Sequence, residues 1–224
     1  MSLRKFVGVA LPSFVKTQVI RAESVSKAIS EDTHLRRESA PLRADLQAST
    51  VLLADRKALL ARMPKGGVAA EVGVLVGDYS SEILRAATPA KLHLLDWWLI
   101  EKNMHAVRRR FADEIQASRV QLHQGESPTM LAKFPDNYFD WVYVDAAHDY
   151  YGVRSDLAAL RPKMKRGGYV AGHDYIRWDV TLGGVARYGV IEAVNEFANA
   201  TNSRLAYLTN EPDRYISYAL HLPG

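Results

Sequence analysis

The chain has 224 residues, of which 48% are hydrophobic and 24% are charged, and it contains no cysteine. This composition predicts a folded protein with a sizeable core and excludes disulfides, thiolate metal sites and cysteine nucleophiles, so any metal must be held by oxygen or imidazole. The net charge is +4, but residues 1–67 hold 12 Lys and Arg against 6 Asp and Glu, and residues 68–224 hold 17 against 19. Because the basic excess lies at the N-terminal end, we expect no nucleic-acid partner.

Residues 1–65 are predicted to form a helical extension. Segments 24–29 and 42–63 have the spacing of amphipathic helices, and Pro12 and Pro41 interrupt the pattern. The extension can serve as a lid over a substrate pocket, as a dimer contact, or as both, and we expect a homodimer. No apolar run approaches the ~18 residues that span a bilayer, which predicts a cytoplasmic protein without a membrane partner.

Residues 66–224 alternate between strands and helices. The pattern predicts strands at 68–72, 92–95, 120–123, 139–144, 169–172, 204–208 and 215–220, and helices at 80–87, 101–116, 128–134, 156–164 and 190–200. Such alternation is typical of an α/β fold. We therefore predict a doubly wound, mostly parallel seven-stranded sheet with an antiparallel hairpin at its edge, and we leave segment 177–188 as a loop without a diagnostic motif.

A glycine motif, EVGVLVGDYS over residues 71–80, lies where the first of these strands turns into a helix. Gly73 and Gly77 allow the backbone to approach a ligand, but the spacing is not the G-x-G-x-x-G that binds a dinucleotide. Glu71 in the motif and Asp96 after the next strand suit a ligand with ribose hydroxyls and an amino group, which S-adenosylmethionine has. The motif taken alone is equally consistent with a tight turn.

The strongest functional signal is a set of polar residues at the carboxyl ends of strands. Asp96, the turn Gly125-Glu126-Ser127 and Asp145 follow successive strands, and His173 with Asp174 follows the next. Since a crossover helix joins two of these strands, their ends lie side by side. We therefore expect Asp145, His148, His173 and Asp174 to form one metal and proton-transfer site. The alternatives are a helix cap for Asp145, a surface or tyrosine-packed His148, and a turn-stabilising pair for His173 and Asp174.

Over residues 66–200 the chain resembles the Rossmann-like S-adenosylmethionine-dependent methyltransferases. The resemblance rests on the motifs EVGxxxGDYS, LLDWW, VDAAHDY and GGYVAGHDY followed by GVIEAVNEF. The last two motifs are similar to those of metal-dependent O-methyltransferases, particularly the catechol enzymes and the macrolide-sugar enzymes.

The resemblance implies roles for individual residues. It places Glu71, Gly73 and Ser80 around the methionine and ribose of the cofactor, Asp96 at the ribose hydroxyls, Trp97 near the adenine, and Glu126 and Ser127 at the adenine edge. It implies that Asp145, His173 and Asp174 bind a divalent metal and that His148 is the general base. Relatives usually have a carboxylate at the position of His173, so the metal can be Mg²⁺ or shift toward Mn²⁺, Fe²⁺ or Zn²⁺.

The function that follows is transfer of a methyl group to a hydroxyl of a small molecule, such as a sugar or a polyphenol. A chelated cation would lower the hydroxyl pKa, and imidazole takes up a proton near pH 7. Two other functions compete with this hypothesis. A nicotinamide-dependent oxidoreductase would share the fold but lacks the dinucleotide motif here, and a non-catalytic nucleic-acid-binding module would use the basic N-terminal segment.

Overall fold

The computed structural model describes residues 13–181, 184–212 and 215–224, which form one large sheet, a small hairpin and flanking helices. The strands are β1 (Val51–Leu53), β2 (Val68–Val72), β3 (Lys91–Asp96), β4 (Val120–Gln124), β5 (Phe139–Val144), β6 (Met164–Gly172), β7 (Trp178–Thr181), β8 (Gly184–Arg187), β9 (Arg204–Thr209) and β10 (Tyr218–His221). The helices are α1 (Ser13–Glu38), α2 (Ala44–Gln47), α3 (Arg56–Arg62), α4 (Asp78–Ala86), α5 (Glu101–Arg110), α6 (Ala112–Gln116), α7 (Ser127–Leu131), α8 (Tyr150–Leu160) and α9 (Val190–Thr201).

The large sheet has the strand order β1-β9-β10-β6-β5-β2-β3-β4, and only β10 runs antiparallel to its neighbours. This confirms the predicted doubly wound, mostly parallel α/β fold. The predicted number of seven strands is wrong, because β1 pairs in parallel with β9 and makes an eighth strand. For the same reason the β9–β10 hairpin does not lie at the edge of the sheet.

The segment over 42–63 is the main departure from the predicted helical extension. It breaks into α2, β1 and α3, and α3 begins where the side chain of Asp55 accepts a hydrogen bond from the backbone of Ala58 at 2.8 Å. A cap of this kind starts a new helix, so the helical spacing across the whole segment was misleading. Because Leu59 and Leu60 are fully buried, α3 is part of the main core.

Two apolar layers cover the faces of the sheet. One layer includes Leu157 and Leu160 of α8 and Val194 of α9, and the other includes Leu59 of α3 and Ile83 of α4. The central strands β2 and β5 are buried along nearly their whole length, as expected for parallel strands covered on both faces. Their backbones are therefore held rigidly, and the side chains after their carboxyl ends are fixed relative to one another.

Segment 177–188, which was expected to be a loop, contains the β7–β8 hairpin, whose turn at 182–183 lies outside the described residues. The hairpin anchors α1. The backbone amide of Val185 donates to Ser24 Oγ at 3.1 Å, and the buried Arg187 forms ion pairs with Asp32 of α1 and Glu192 of α9. Among the described residues, no helix is long and apolar enough to cross a membrane.

Candidate active site

A cavity of about 750 Å³ opens at the carboxyl edge of the parallel strands. Among the predicted site residues, those lining it are Glu71, Gly73, Asp96, Trp97, Gly125, Glu126, Ser127, Asp145 and His148. Gly77, Ser80, His173 and Asp174 lie just behind this wall and contact its residues. The cavity volume is in the range of pockets that bind cofactors and small ligands.

The glycine turn allows the floor of the cavity to form. A Cβ added to Gly73, whose φ is +91°, would lie 2.0 Å from the backbone oxygen of Asp145, so no other residue fits between the ends of β2 and β5. Gly77 has a φ of +80°, and a Cβ there would lie 2.7 Å from the ring of Phe111. Gly77 therefore supports the turn and does not contact the cavity directly.

Glu71 is a buried acid that faces the cavity. Its carboxylate accepts a hydrogen bond from the hydroxyl of Ser80, which is itself fully buried. Burial raises the pKa of Glu71 to about 8, because the charged form loses its hydration. At pH 7 the group is mostly neutral, and a cation placed beside it would ionise it.

Asp96 organises the turn that follows β2. Its Oδ2 accepts hydrogen bonds from the backbone amides of Val74 at 2.8 Å and Leu75 at 2.9 Å, and its Oδ1 accepts from the amide of Trp98 at 2.6 Å. Trp98 is buried and its indole donates to the carbonyl of Leu75, whereas Trp97 is 54% exposed beside the cavity. Asp96 therefore fixes the loop and leaves Trp97 free to cover a ligand.

Asp156 also lines the cavity, although it was not among the predicted site residues. The hydroxyl of Ser127 donates to Asp156 Oδ1 at 2.5 Å, and burial raises the pKa of Asp156 to about 6. A signal was present, since Asp156 lies on the apolar stripe of α8 with Val153, Leu157 and Leu160, all buried. Asp149 is a helix cap that accepts from the amides of Tyr151 and Gly152.

Arg56 and Tyr79 are also cavity residues that the sequence did not indicate. The guanidinium carbon of Arg56 lies 5.0 Å from the centre of the Tyr79 ring. Arg56 is the first residue of α3, in a segment that was predicted to belong to the helical extension. Its placement depends on β1 joining the sheet, which the sequence pattern did not reveal.

Asp145, His148, His173 and Asp174 converge beside the cavity, as the topology predicted. His148 Nε2 lies 3.0 Å from Asp174 Oδ2 and 3.8 Å from Asp145 Oδ1. His173 Nδ1 lies 3.2 Å from Asp174 Oδ1 and 3.9 Å from Asp145 Oδ2. Two carboxylates thus lie between two imidazoles.

The electrostatics of this cluster favour positive charge. Asp145 and Asp174 raise the pKa of His148. Burial alone would lower the pKa of His173, but its contact with Asp174 and the nearby charge of Asp145 outweigh that effect and raise it. Asp174 is 5% exposed, has a φ of +57°, and its Oδ1 has no hydrogen-bond partner among the described residues. This oxygen lies in ion-pair distance of His173 but accepts no well-directed hydrogen bond, and a buried carboxylate oxygen of this kind in a left-handed turn is typical of a ligand site.

The side chains of this cluster could bind a metal ion, but the most compact group of three differs in one residue from the predicted ligands Asp145, His173 and Asp174. Asp145, His148 and Asp174 each offer one atom within 4.8 Å of the others, so His148, and not His173, completes the compact group of three in the described part of the chain. Oxygen and imidazole donors of this kind suit a divalent cation. Both imidazoles lie close enough to the carboxylates for either to serve.

Two tyrosines cover the histidines of the cluster. The ring of Tyr188 stacks on His148 with centres 4.8 Å apart, and that of Tyr215 stacks on His173 at 6.2 Å. Asp179 of β7 accepts hydrogen bonds from both tyrosine hydroxyls, at 3.3 Å from Tyr188 and 2.7 Å from Tyr215. The hairpin region therefore contributes the cover of the site.

Comparisons with known proteins agree with this architecture. Residues 70–175 match a family model described as a methyltransferase domain. No curated protein sequence matches the chain.

Several solved structures share the fold. The pyocyanin biosynthetic protein PhzM aligns with a TM-score of 0.54 and 17% identity over 70% of this chain and 51% of its own, so the match spans about half of that protein. An S-adenosylmethionine-dependent methyltransferase from Aquifex aeolicus aligns with a TM-score of 0.53 and 15% identity, and the match covers 85% of this chain and 97% of that one. Precorrin-6y C5,15-methyltransferase from Geobacter metallireducens GS-15 aligns with a TM-score of 0.54 and 14% identity, and the match covers 75% of this chain and 87% of that one.

The matched segment begins inside β2 and ends just after β6, so it holds the glycine turn, most of the cavity wall and the whole Asp-His cluster. The domain match and the shared fold agree. Residues 70–175 match a methyltransferase domain, and the whole fold is one that solved methyltransferases also have.

Proposed function

We propose that this enzyme is a divalent-metal-dependent O-methyltransferase that acts on a hydroxyl of a small molecule, such as a sugar or a polyphenol. The observation that carries the proposal is the position of His148, which lines the cofactor cavity and also lies 3.0 Å from Asp174 in the Asp-His cluster. Methyl transfer to a hydroxyl needs a proton acceptor beside that hydroxyl, off the line between its oxygen and the methyl carbon. The location of His148 at the junction of the cavity and the Asp-His cluster supports this role.

The cavity residues support specific cofactor contacts. We propose that Asp96 accepts from the ribose hydroxyls and that Trp97 covers the adenine, with the turn Gly125-Glu126-Ser127 at the adenine edge. Glu71, held by Ser80, would accept from the methionine amino group. Gly73, supported by Gly77, would allow the ligand to approach the backbone beside Asp145. Bound there, S-adenosylmethionine supplies an electrophilic methyl group.

Asp145, Asp174 and His173 would hold the metal, and His148 would remain free as the base. Asp174 Oδ1 supports this fit, because it accepts no hydrogen bond and a cation shared with His173 would satisfy it. Mg²⁺ suits the two carboxylates, and the imidazole allows Mn²⁺, Fe²⁺ or Zn²⁺. A bound divalent ion lowers the pKa of a hydroxyl that it coordinates and fixes the direction of its oxygen.

The chain's own residues would then complete the proton transfer. His148 Nε2 takes the hydroxyl proton, and the neighbouring Asp145 and Asp174 stabilise the imidazolium that results. Tyr188 covers one face of the imidazole and limits its rotation. The acceptor hydroxyl would enter from the side of the tyrosines, opposite the glycine turn.

Replacement of His148 by Ala tests the proposal. Turnover of a vicinal-diol acceptor should fall by about 100-fold or more, the usual contribution of a general base, while the affinity for S-adenosylhomocysteine stays unchanged. His105→Ala, on the exposed surface of α5, is the matched control and should keep full turnover. An unchanged rate for His148→Ala would remove His148 from the base role.

The metal is tested separately. A chelator should reduce turnover, and Mg²⁺ or Mn²⁺ should restore it. His173→Ala should weaken metal affinity more than His148→Ala, and the opposite order would make His148 the ligand. Indifference to the chelator would mean that Asp145 and Asp174 serve only hydrogen bonds. Binding of NADH in place of S-adenosylhomocysteine would favour the oxidoreductase alternative.

A further inference from the structure

Arg56 is a cation in the wall of the cofactor cavity that the structure leaves without an anionic partner. It lines the same cavity as Glu71 and Asp145, and in the described part of the chain no carboxylate is in ion-pair contact with it. Its guanidinium carbon lies 5.0 Å from the centre of the Tyr79 ring, and the carboxylates of Asp145 and Glu211 act on it without forming an ion pair. A half-buried guanidinium loses hydration and gains stability when an anion binds it.

The position of Arg56 along the cavity identifies the end at which it acts. Tyr143, Tyr79, Asp145 and Glu211 all interact electrostatically with Arg56, and Arg56 in turn opposes, in small part, the rise that burial causes in the pKa of Glu71. Apart from Glu211, these groups lie at or after the carboxyl ends of β2 and β5, next to the glycine turn.

Both signs of charge therefore line one end of the cavity. Glu71 is an acid that a cation would ionise, and Arg56 is a cation without an anion. An α-amino acid group carries an ammonium and a carboxylate on one carbon, and it would satisfy both. The ring of Tyr79 holds the guanidinium by a cation–π contact, so the planar fork is oriented before a ligand binds.

We propose that Arg56 binds the α-carboxylate of the cofactor's methionine group and is the main determinant of affinity for that part of the cofactor. The inference rests on the cavity being the S-adenosylmethionine site, and it is independent of the metal and of the acceptor. It also assigns a function to α3, which belongs to the segment before the methyltransferase domain match.

Two ligands that differ in the amino acid group test the proposal by calorimetry on the full-length protein. S-Adenosylhomocysteine carries the α-carboxylate, and 5′-methylthioadenosine lacks the whole amino acid group. Arg56→Ala should weaken S-adenosylhomocysteine binding by about 10- to 100-fold, the usual loss for a hydrogen bond between charged groups. Binding of 5′-methylthioadenosine should change by less than about twofold.

Two further variants make the result specific. Arg56→Lys keeps the charge without the bidentate fork and should give an intermediate loss; it also provides the test if Arg56→Ala does not fold. Lys57→Ala, the exposed neighbour on α3, should bind both ligands as the wild type does. An equal loss for both ligands, or no loss for either, would overturn the role of Arg56. Failure of the wild type to bind S-adenosylhomocysteine would contradict the cofactor assignment itself.

Discussion

At the scale of single residues, the cofactor cavity holds acids whose charge depends on what binds beside them. Burial raises the pKa of Glu71 to about 8 and that of Asp156 to about 6. Each is hydrogen-bonded to a serine hydroxyl, Ser80 for Glu71 and Ser127 for Asp156. At pH 7 only Glu71 is mostly neutral. The two acids that line the cavity therefore differ in charge, and this difference can orient a ligand.

Glu71 should release a proton when the cofactor binds. Its raised pKa means that the free protein holds the proton at pH 7, and an ammonium group beside the carboxylate would lower the pKa and drive the proton off. Calorimetry of S-adenosylhomocysteine binding at pH 7 in buffers of different ionisation enthalpy should detect release of about one proton by the wild type. Glu71→Gln should release about one proton fewer than the wild type when S-adenosylhomocysteine binds.

The matched measurement uses 5′-methylthioadenosine, which has no ammonium group and should release no proton from Glu71. Equal proton release by the wild type and by Glu71→Gln would mean that another group is the source. Because the glutamine keeps the size of the side chain and still accepts a hydrogen bond from Ser80, a change in folding should not obscure the result.

At the scale of elements, the β7–β8 hairpin has two structural functions. On one side it holds α1 through Arg187 and the backbone of Val185. On the other side Asp179 joins the hydroxyls of the two tyrosines that cover the histidines. A change in the hairpin is thereby coupled to the orientation of both imidazoles.

Asp179 should act as a positioning residue. Asp179→Ala removes the acceptor for both tyrosine hydroxyls, so the rings above His148 and His173 gain freedom and kcat should fall by about 10- to 100-fold, because small misplacements of catalytic groups are costly. The affinity for S-adenosylhomocysteine should not change. Asp179→Asn, whose amide oxygen still accepts a hydrogen bond, should restore most of kcat.

Val180→Ala is the control on the same strand, because Val180 is 62% exposed. It should leave kcat unchanged. If Asp179→Asn is as slow as Asp179→Ala, the charge of Asp179 matters and the hydrogen bonds alone do not explain its effect.

Elements with one clear pattern were predicted from the sequence, and those defined by contacts were not. The bounds of β5 were predicted correctly because its mostly apolar sequence, interrupted only by Asp140, ends at Asp145. β6 begins at Met164 and not at 169, because Gly167 and Gly168, which are typical of a helix end, are part of the strand. The helix predicted over 156–164 is α8 (Tyr150–Leu160), which Asp149 caps, and that predicted over 101–116 is interrupted at Phe111.

At the scale of the whole molecule, the same distinction applies to the site. Residues at strand ends, such as Asp145 and Asp174, were predictable because topology alone brings them together. Arg56, Asp156 and Asp179 were not, because tertiary packing alone brings α3 and α8 to the cavity and the hairpin to the tyrosines that cover the histidines. The sequence therefore predicts the framework of the site better than its cover.

The stability of the whole fold should depend on pH through a buried histidine pair. His93 Nδ1 lies 2.9 Å from His123 Nε2, and His93 Nε2 lies 3.0 Å from the hydroxyl of Tyr138. His93 is 2% exposed, and burial lowers its pKa to about 3. The unfolded chain takes up a proton on His93 below its ordinary pKa of 6.5, while the folded protein does not until far lower pH.

Stability is therefore complete above pH 6.5 and declines as the pH falls toward 3. His93 alone should remove about 2 kcal/mol from the unfolding free energy between pH 7 and pH 5, at about 1.4 kcal/mol per pH unit below its ordinary pKa. Urea denaturation at several pH values measures this slope. In His93→Gln the loss of unfolding free energy between pH 7 and pH 5 should be smaller by about 2 kcal/mol, although the variant is less stable than the wild type at pH 7. His105→Gln, which changes an exposed histidine, should keep the wild-type slope, and an unchanged slope in His93→Gln would show that the pair is not the source of the acid sensitivity.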